Sequence, residues 1–236
     1  MKRFSIILLT LITLVSSSCR KVNGDGPVVT ETRQVSHFNG VDLRCSAEVL
    51  YQQGNDYNVE VSAQRNILDV LEIYTSNNRL VVRFKDDVRV RSHEKVRIEV
   101  TAPSAEYFRV SGSGSIRTAG LLAPPRVDMD VSGSGSITIS QFITQSIDAT
   151  ISGSGSISVL NGEANEVHTR ISGSGDLDLL NVPIEYATTT TSGSGITQLN
   201  VSKELNVTIS GSGSVFYLGN PTIHTRISGS GRVIPK

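Results

Sequence analysis

VDMDVSGSGSITI, residues 127–139, decides the fold. Val127, Met129, Val131, Gly133, Gly135, Ile137 and Ile139 share one parity. Asp128, Asp130, Ser132, Ser134, Ser136 and Thr138 share the other. Apolar residues at a period of two mark a half-buried β-strand, and glycines at that spacing would penalise a helix. Residues 147–159, IDATISGSGSISV, repeat the rule with Ile147, Ala149, Ile151, Ile157 and Val159 on the apolar parity.

Outward from this stretch, the tetrad SGSG recurs seven times, starting at Ser111, Ser132, Ser152, Ser172, Ser192, Ser210 and Ser228. The intervals are 21, 20, 20, 20, 18 and 18 residues. A flexible Gly/Ser linker has no such period and no apolar flanks. One unit cannot bury its apolar face alone, whereas stacked units form aliphatic ladders through a shared interior. The chain therefore reads as all-β, with a parallel β-helix or solenoid of about seven coils over residues 105–236. Both glycines of each tetrad are expected to face inward, where a Cβ would meet a neighbouring wall or obstruct a bend. The fifth unit, TTTTSGSGITQL, lacks the residue that elsewhere separates the tetrad from its first aliphatic. That deletion predicts a bulge near Ile196.

Residues 28–104 carry no repeat but alternate over Val41–Tyr51, Leu80–Phe84 and Val96–Val100. They read as a β-rich segment capping the first coil. A single helical turn is expected within 66–75 and a hairpin turn at Asn77-Asn78. Cys45 falls in the alternation Val41, Leu43, Cys45, Ala47, Val49, which marks it as a buried small hydrophobe rather than a catalytic thiol.

At the start of the chain, Lys2 and Arg3 precede an apolar run from Phe4 to Val15, then Ser16, Ser17, Ser18 and Cys19. A 12-residue apolar run is too short to span a bilayer and fits a secretory signal. Cysteine directly after small residues suggests a lipoprotein signal over residues 1–18, with Cys19 lipidated and residues 19–30 as a tether. Leucine usually stands three places before that cysteine in bacterial lipoprotein signals, and Ser16 stands there instead. The other reading is ordinary signal cleavage with Cys19 unmodified. A lipid anchor would make the membrane a partner without a transmembrane helix. The expected location is the cell envelope, as an outer-membrane lipoprotein on either face. Arg20 and Lys21 do not resemble an acidic surface-export signal.

Composition excludes several classes. Twenty-two Lys+Arg balance 22 Asp+Glu, which is read as no electrostatic footprint for nucleic acid or for an acidic membrane surface. Two cysteines make neither a disulfide framework nor a four-cysteine zinc site. No tetrad is followed by Lys, and none opens a helix, so a phosphate loop is rejected. The order G-x-S-x-G never occurs in a tetrad, which rejects the hydrolase elbow. Only the fourth unit, SGSGDLDLL, offers spaced acids after its tetrad, Asp176 and Asp178, so a calcium roll is not expected. No cofactor and no resident metal is expected.

ETRQVSHFNGVDL (31–43), EVLYQQG (48–54) and VEVSAQRNILDVLE (59–72) resemble, in that order, the opening of the bacterial head GIN domain family. Phe38, Gly40, Val41, Gln53, Gly54, Val59, Val61, Asn66 and Leu68 fill the family's places, and the SGSG units resemble its C-terminal repeats. Cys45 departs from the small Ser or Gly usual there. The resemblance implies a right-handed β-helix-like fold and an envelope protein of the Bacteroidetes type, often a lipoprotein. It implies adhesion by name alone and supplies no catalytic residues.

If coils stack in register, outward residues line up in columns. Four places before each tetrad stand Tyr107, Asp128, Asp148, His168, Thr188, Asn206 and His224. Two places before stand Arg109, Asp130, Thr150, Arg170, Thr190, Thr208 and Arg226. Stacked neighbours would lie about 5 Å apart. Asp128, Asp130, Asp148, His168 and Arg170 are thus the candidate surface cluster for a metal or sugar. The blander reading is a solvated face with ion pairs, and it carries more weight. The leading expectation is a non-enzymatic, lipid-anchored binding or adhesion module whose partner is a glycan or an envelope or host protein. The alternatives are a polysaccharide-acting enzyme built on the same five residues, and a scaffold with no soluble ligand. Coils of 18–20 residues leave little room for the loops an enzyme needs.

Overall fold

A computed structural model describes residues 20–236. Residues 1–18, read above as a signal segment, and Cys19 lie outside the described residues. Each coil has three sides. In one coil, Arg126–Gly133 runs up to the tetrad, Ser136–Ile139 leaves it, and the first residues of Gln141–Gly153 form the return side. The rest of that strand is already the first side of the next coil. Adjacent coils pair parallel and in register, Val127 with Ile147, Val131 with Ile151, and Ile137 with Ile157. Ile157 in turn pairs with Leu177, and all three of Ile137, Ile157 and Leu177 are fully buried. The aliphatic ladders follow directly from the period-two pattern, each buried Ile or Leu contributing about 1.5–3 kcal/mol. Seven tetrads form seven corners, and seven corners bound six turns; the solenoid has about six turns rather than the seven coils expected.

The tetrad is a corner, not the middle of a strand. Its first glycine lies in the left-handed region in every unit, from φ +109° at Gly112 to +125° at Gly211. Only the second glycine faces the interior, which corrects the expectation that both do. At Gly153 a Cβ would stand 2.5 Å from the carbonyl oxygen of Gly133 in the coil below, so sterics and dihedral both demand glycine. The corners bond to one another: the Ser154 N–H donates to Gly133 at 2.9 Å and the Ser174 N–H to Gly153 at 2.8 Å. Serine-glycine tetrads here are therefore hydrogen-bonded and fixed.

No bulge forms at the fifth tetrad. Pairing runs unbroken from Asp176–Ile196 to Leu179–Leu199, with Ile196 turned outward and Thr197 taking the inward place. The shortening from 20 to 18 residues is absorbed on the return side instead, where the register shifts between Leu179 and Pro183 and again between Ile184 and Tyr186.

Parallel stacking continues below the first tetrad. Gly40–Leu43 pairs with Tyr107–Gly112, and Ala47–Gln53 with Ser115–Ala119. Cys45 and Ala47 thus occupy the corner positions held elsewhere by glycine, and Cys45 is buried. Arg79–Phe84 and Val96–Ala102 lie parallel beneath these. Antiparallel strands then close this end: Leu71–Ser76 on Arg79–Phe84, Asn58–Gln64 on Val96–Ala102, and Val28–Thr32 on Asn58–Gln64. The expected hairpin turn is present, with Asn77 and Asn78 both at positive φ, and the single helical turn is Arg65–Leu68. Among the described residues, the buried apolar core runs without a break from Phe38 to Val215.

Candidate functional site

Both outward columns form as the spacing predicts. Tyr107, Asp128, Asp148, His168, Thr188, Asn206 and His224 are successive register partners. So are Arg109, Asp130, Thr150, Arg170, Thr190, Thr208 and Arg226, and Asp42 adds a member below Arg109. Strand alternation brings all five predicted residues to one flat face.

They do not converge on a single point. Asp128 and Asp148 are neighbours, and Arg126 bridges them, its Nε 3.0 Å from Asp128 Oδ1 and its Nη2 3.0 Å from Asp148 Oδ2. Both carboxylates hold the Arg126 guanidinium, whose own pKa is raised, first by its hydrogen bond to Asp128. Asp130 faces Arg109 at 3.8 Å, and His168 Nε2 lies 3.5 Å from Glu166 Oε1. Arg170 makes no ion pair among the described residues. No group of three or more His, Cys, Asp or Glu is placed to hold a metal ion among the described residues. A cation-binding reading fails locally because Arg126 already supplies the positive charge between the two aspartates.

A different grouping emerges one coil higher. Asp148, Thr150, His168, Arg170, Thr188 and Thr190 line a shallow depression of about 230 Å³. It offers a carboxylate, an imidazole, a guanidinium fork and three hydroxyls on a rigid sheet. Such a set hydrogen-bonds hydroxyl-rich ligands from one side. It provides no second wall from which an acid and a base could flank a glycosidic bond. A larger depression, about 450 Å³, lies lower on the solenoid between Glu48, Leu50, Arg97 and Arg117. Ion pairs occupy its rim, with Lys95 2.6 Å from Glu48, and that contact holds the exposed Glu48 carboxyl below its usual pKa.

Arg126, which bridges two of the predicted residues, is the member of this face that the two columns miss. It heads a third column, six places before the tetrad, with Ser146, Glu166, Tyr186, Glu204 and Thr222. Extending the same register rule by two residues finds it.

Comparison with known proteins gives one family, described as "Putative auto-transporter adhesin, head GIN domain", which matches residues 37–221. Among solved structures, a putative adhesin of Bacteroides fragilis superposes with a TM-score of 0.86 at 21% identity, covering 91% of this chain and 100% of that one. A putative adhesin of Parabacteroides distasonis has a TM-score of 0.77 at 21% identity, covering 92% and 100%. A second protein of that organism, a putative lipid binding protein, has a TM-score of 0.76 at 19% identity, covering 92% and 100%. At these identities the likeness is one of fold. A search of the curated proteins gives no match.

Proposed function

This chain belongs to the head GIN domain family, and on that premise we propose that it is a non-enzymatic binding module of the cell envelope that takes carbohydrate on its flat tetrad-preceding face. One observation carries the reading: register stacking puts Asp148, His168, Arg170 and three threonine hydroxyls around one shallow depression. Sugars are recognised by such mixtures of planar charged groups and hydroxyls on a preorganised surface. The site's one-sided geometry supports binding over turnover. Anchoring through Cys19 completes the proposal and would hold the solenoid at a membrane surface. Among the described residues no helix is long and apolar enough to cross a membrane. The adhesin names of the family and of its structural relatives support an envelope role.

A glycan array on the purified chain tests the binding claim. The reading expects hits that weaken at least tenfold in Arg170→Ala. Turnover of a polysaccharide, or hits unaffected by Arg170→Ala together with Asp148→Ala, would overturn it. Labelled palmitate incorporation, lost in Cys19→Ser, tests the anchor separately.

A further inference from the structure

The chain's overall charge balance conceals a local imbalance that only the fold creates. Arg20–Val22 and Val88–Val90 form a separate two-stranded parallel ribbon at the capped end of the solenoid. Val22 and Val90 pack toward the core, so alternation turns Lys21, Arg89 and Arg91 to the outer side. Lys21 and Arg89 are direct register partners, and the Arg91 N–H donates to the Val22 carbonyl at 2.9 Å. All three side chains are exposed, and none makes a hydrogen bond or ion pair among the described residues. Arg20 adjoins them, exposed and likewise unpaired. The nearby acids do little to neutralise the ribbon. Asp86 is taken by Arg83 at 2.8 Å, and among the described residues no carboxylate, that of Asp87 included, makes an ion pair with the ribbon's cations.

Like charges directly opposite across a strand pair destabilise it. A two-stranded ribbon that aligns Lys21 with Arg89 and places Arg91 beside them therefore carries a cost with no return inside the molecule. An anionic surface outside it would supply that return. From this ribbon we infer that the capped end of the solenoid docks on anionic lipid headgroups, with Lys21, Arg89 and Arg91 toward the membrane. A membrane is the occupant because Arg20 of the ribbon directly follows Cys19 in sequence, so an acyl chain there would bring these cations to headgroup level. That last step rests on the proposed anchor. The charge cluster does not. In this pose the SGSG coils point away from the bilayer and the Asp148–Arg170 depression stays open to ligand.

Polybasic segments near an anionic membrane contribute about fivefold in partitioning per cation, and the effect fades with salt over a Debye length of about 10 Å at 0.1 M. The test uses residues 20–236, which contain the whole described core; the crystal chain from Bacteroides fragilis that aligns with 91% of this protein folds over a matching extent. Co-sedimentation with phosphatidylglycerol/phosphatidylcholine vesicles is compared with pure phosphatidylcholine. We expect binding to the anionic vesicles alone, lost about a hundredfold in Lys21→Gln/Arg89→Gln/Arg91→Gln. A control removing three cations from the far end, Lys203→Gln/Arg226→Gln/Arg232→Gln, is expected to keep it. Circular dichroism confirms that both variants are folded. Equal binding to neutral vesicles, no binding to either, or equal losses in the two variants would overturn the proposal. Because residues 20–236 lack Cys19 and so carry no acyl chain, failure here leaves palmitate labelling of Cys19 free to succeed, and the two readings fail independently.

Discussion

Gly112 and Gly153 allow the two demands on the first glycine of the tetrad to be measured apart. Their backbones are alike, φ +109° and +121°. Their surroundings are not: a Cβ on Gly112 meets nothing within 4 Å, whereas one on Gly153 meets the Gly133 carbonyl oxygen at 2.5 Å. Gly112→Ala therefore costs the left-handed conformation alone, about 1–2 kcal/mol. Gly153→Ala costs the same plus the forced separation of two coils, about 1–3 kcal/mol more. For a domain of this size, 1 kcal/mol lowers Tm by about 2–4 °C. Gly112→Ala should then lose roughly 2–8 °C and Gly153→Ala roughly 4–20 °C by the same rule. Thermal and urea unfolding of residues 20–236, followed by circular dichroism, reads both. Equal losses would refute the claim that the corners touch from coil to coil.

Other consequences are as sharp. Thr191 stands between Ile171 and Ile209, and Thr197 between Leu177 and Val215, each fully buried with its hydroxyl unpartnered. Thr191→Val and Thr197→Val should each stabilise the protein by about 1 kcal/mol, measured as a higher urea midpoint, because each removes an unpaired hydroxyl at constant shape. Burial pushes the Cys45 thiol up to about 12. Its contribution to stability is complete below the unfolded thiol's pKa of about 8.5 and is lost as pH rises toward 12, so a thiol reagent at pH 8 should label Cys45 only after unfolding. Arg126→Ala removes two exposed ion pairs and should cost less than about 1 kcal/mol in urea unfolding.

The solenoid and its surface columns were legible because period two and a recurring tetrad fix both which side faces in and which residues stack. Backbone dihedrals were not. Parity placed Gly133 and Gly135 together on the inward side, yet a corner with positive φ separates their roles, and hydrophobic patterning carries no information about φ. The fifth-unit bulge failed for a related reason. Burying a threonine looked dearer than shifting parity, but the corner's hydrogen bonds hold the register and Thr197 yields instead. Below the first tetrad, Cys45 and Ala47 stand where glycines mark a corner elsewhere, so the coil built from Gly40–Leu43 and Ala47–Gln53 shows no tetrad. The basic ribbon joins residues near 21 to residues near 90, a distance in sequence that no local pattern bridges.

Everything depends on adjacent coils lying in register, and engineered cysteines test that directly. Thr138, Ser158 and Asp178 are successive partners, with the Ser158 and Thr138 hydroxyl oxygens 3.4 Å apart. A disulfide needs Cα atoms about 4.4–6.8 Å apart, which one strand spacing of about 4.8 Å satisfies and two do not. In residues 20–236 under mild oxidation, Thr138→Cys/Ser158→Cys should close a disulfide and Thr138→Cys/Asp178→Cys should stay reduced. A free thiol pair in the first variant, or equal closure in both, would contradict the stacked solenoid.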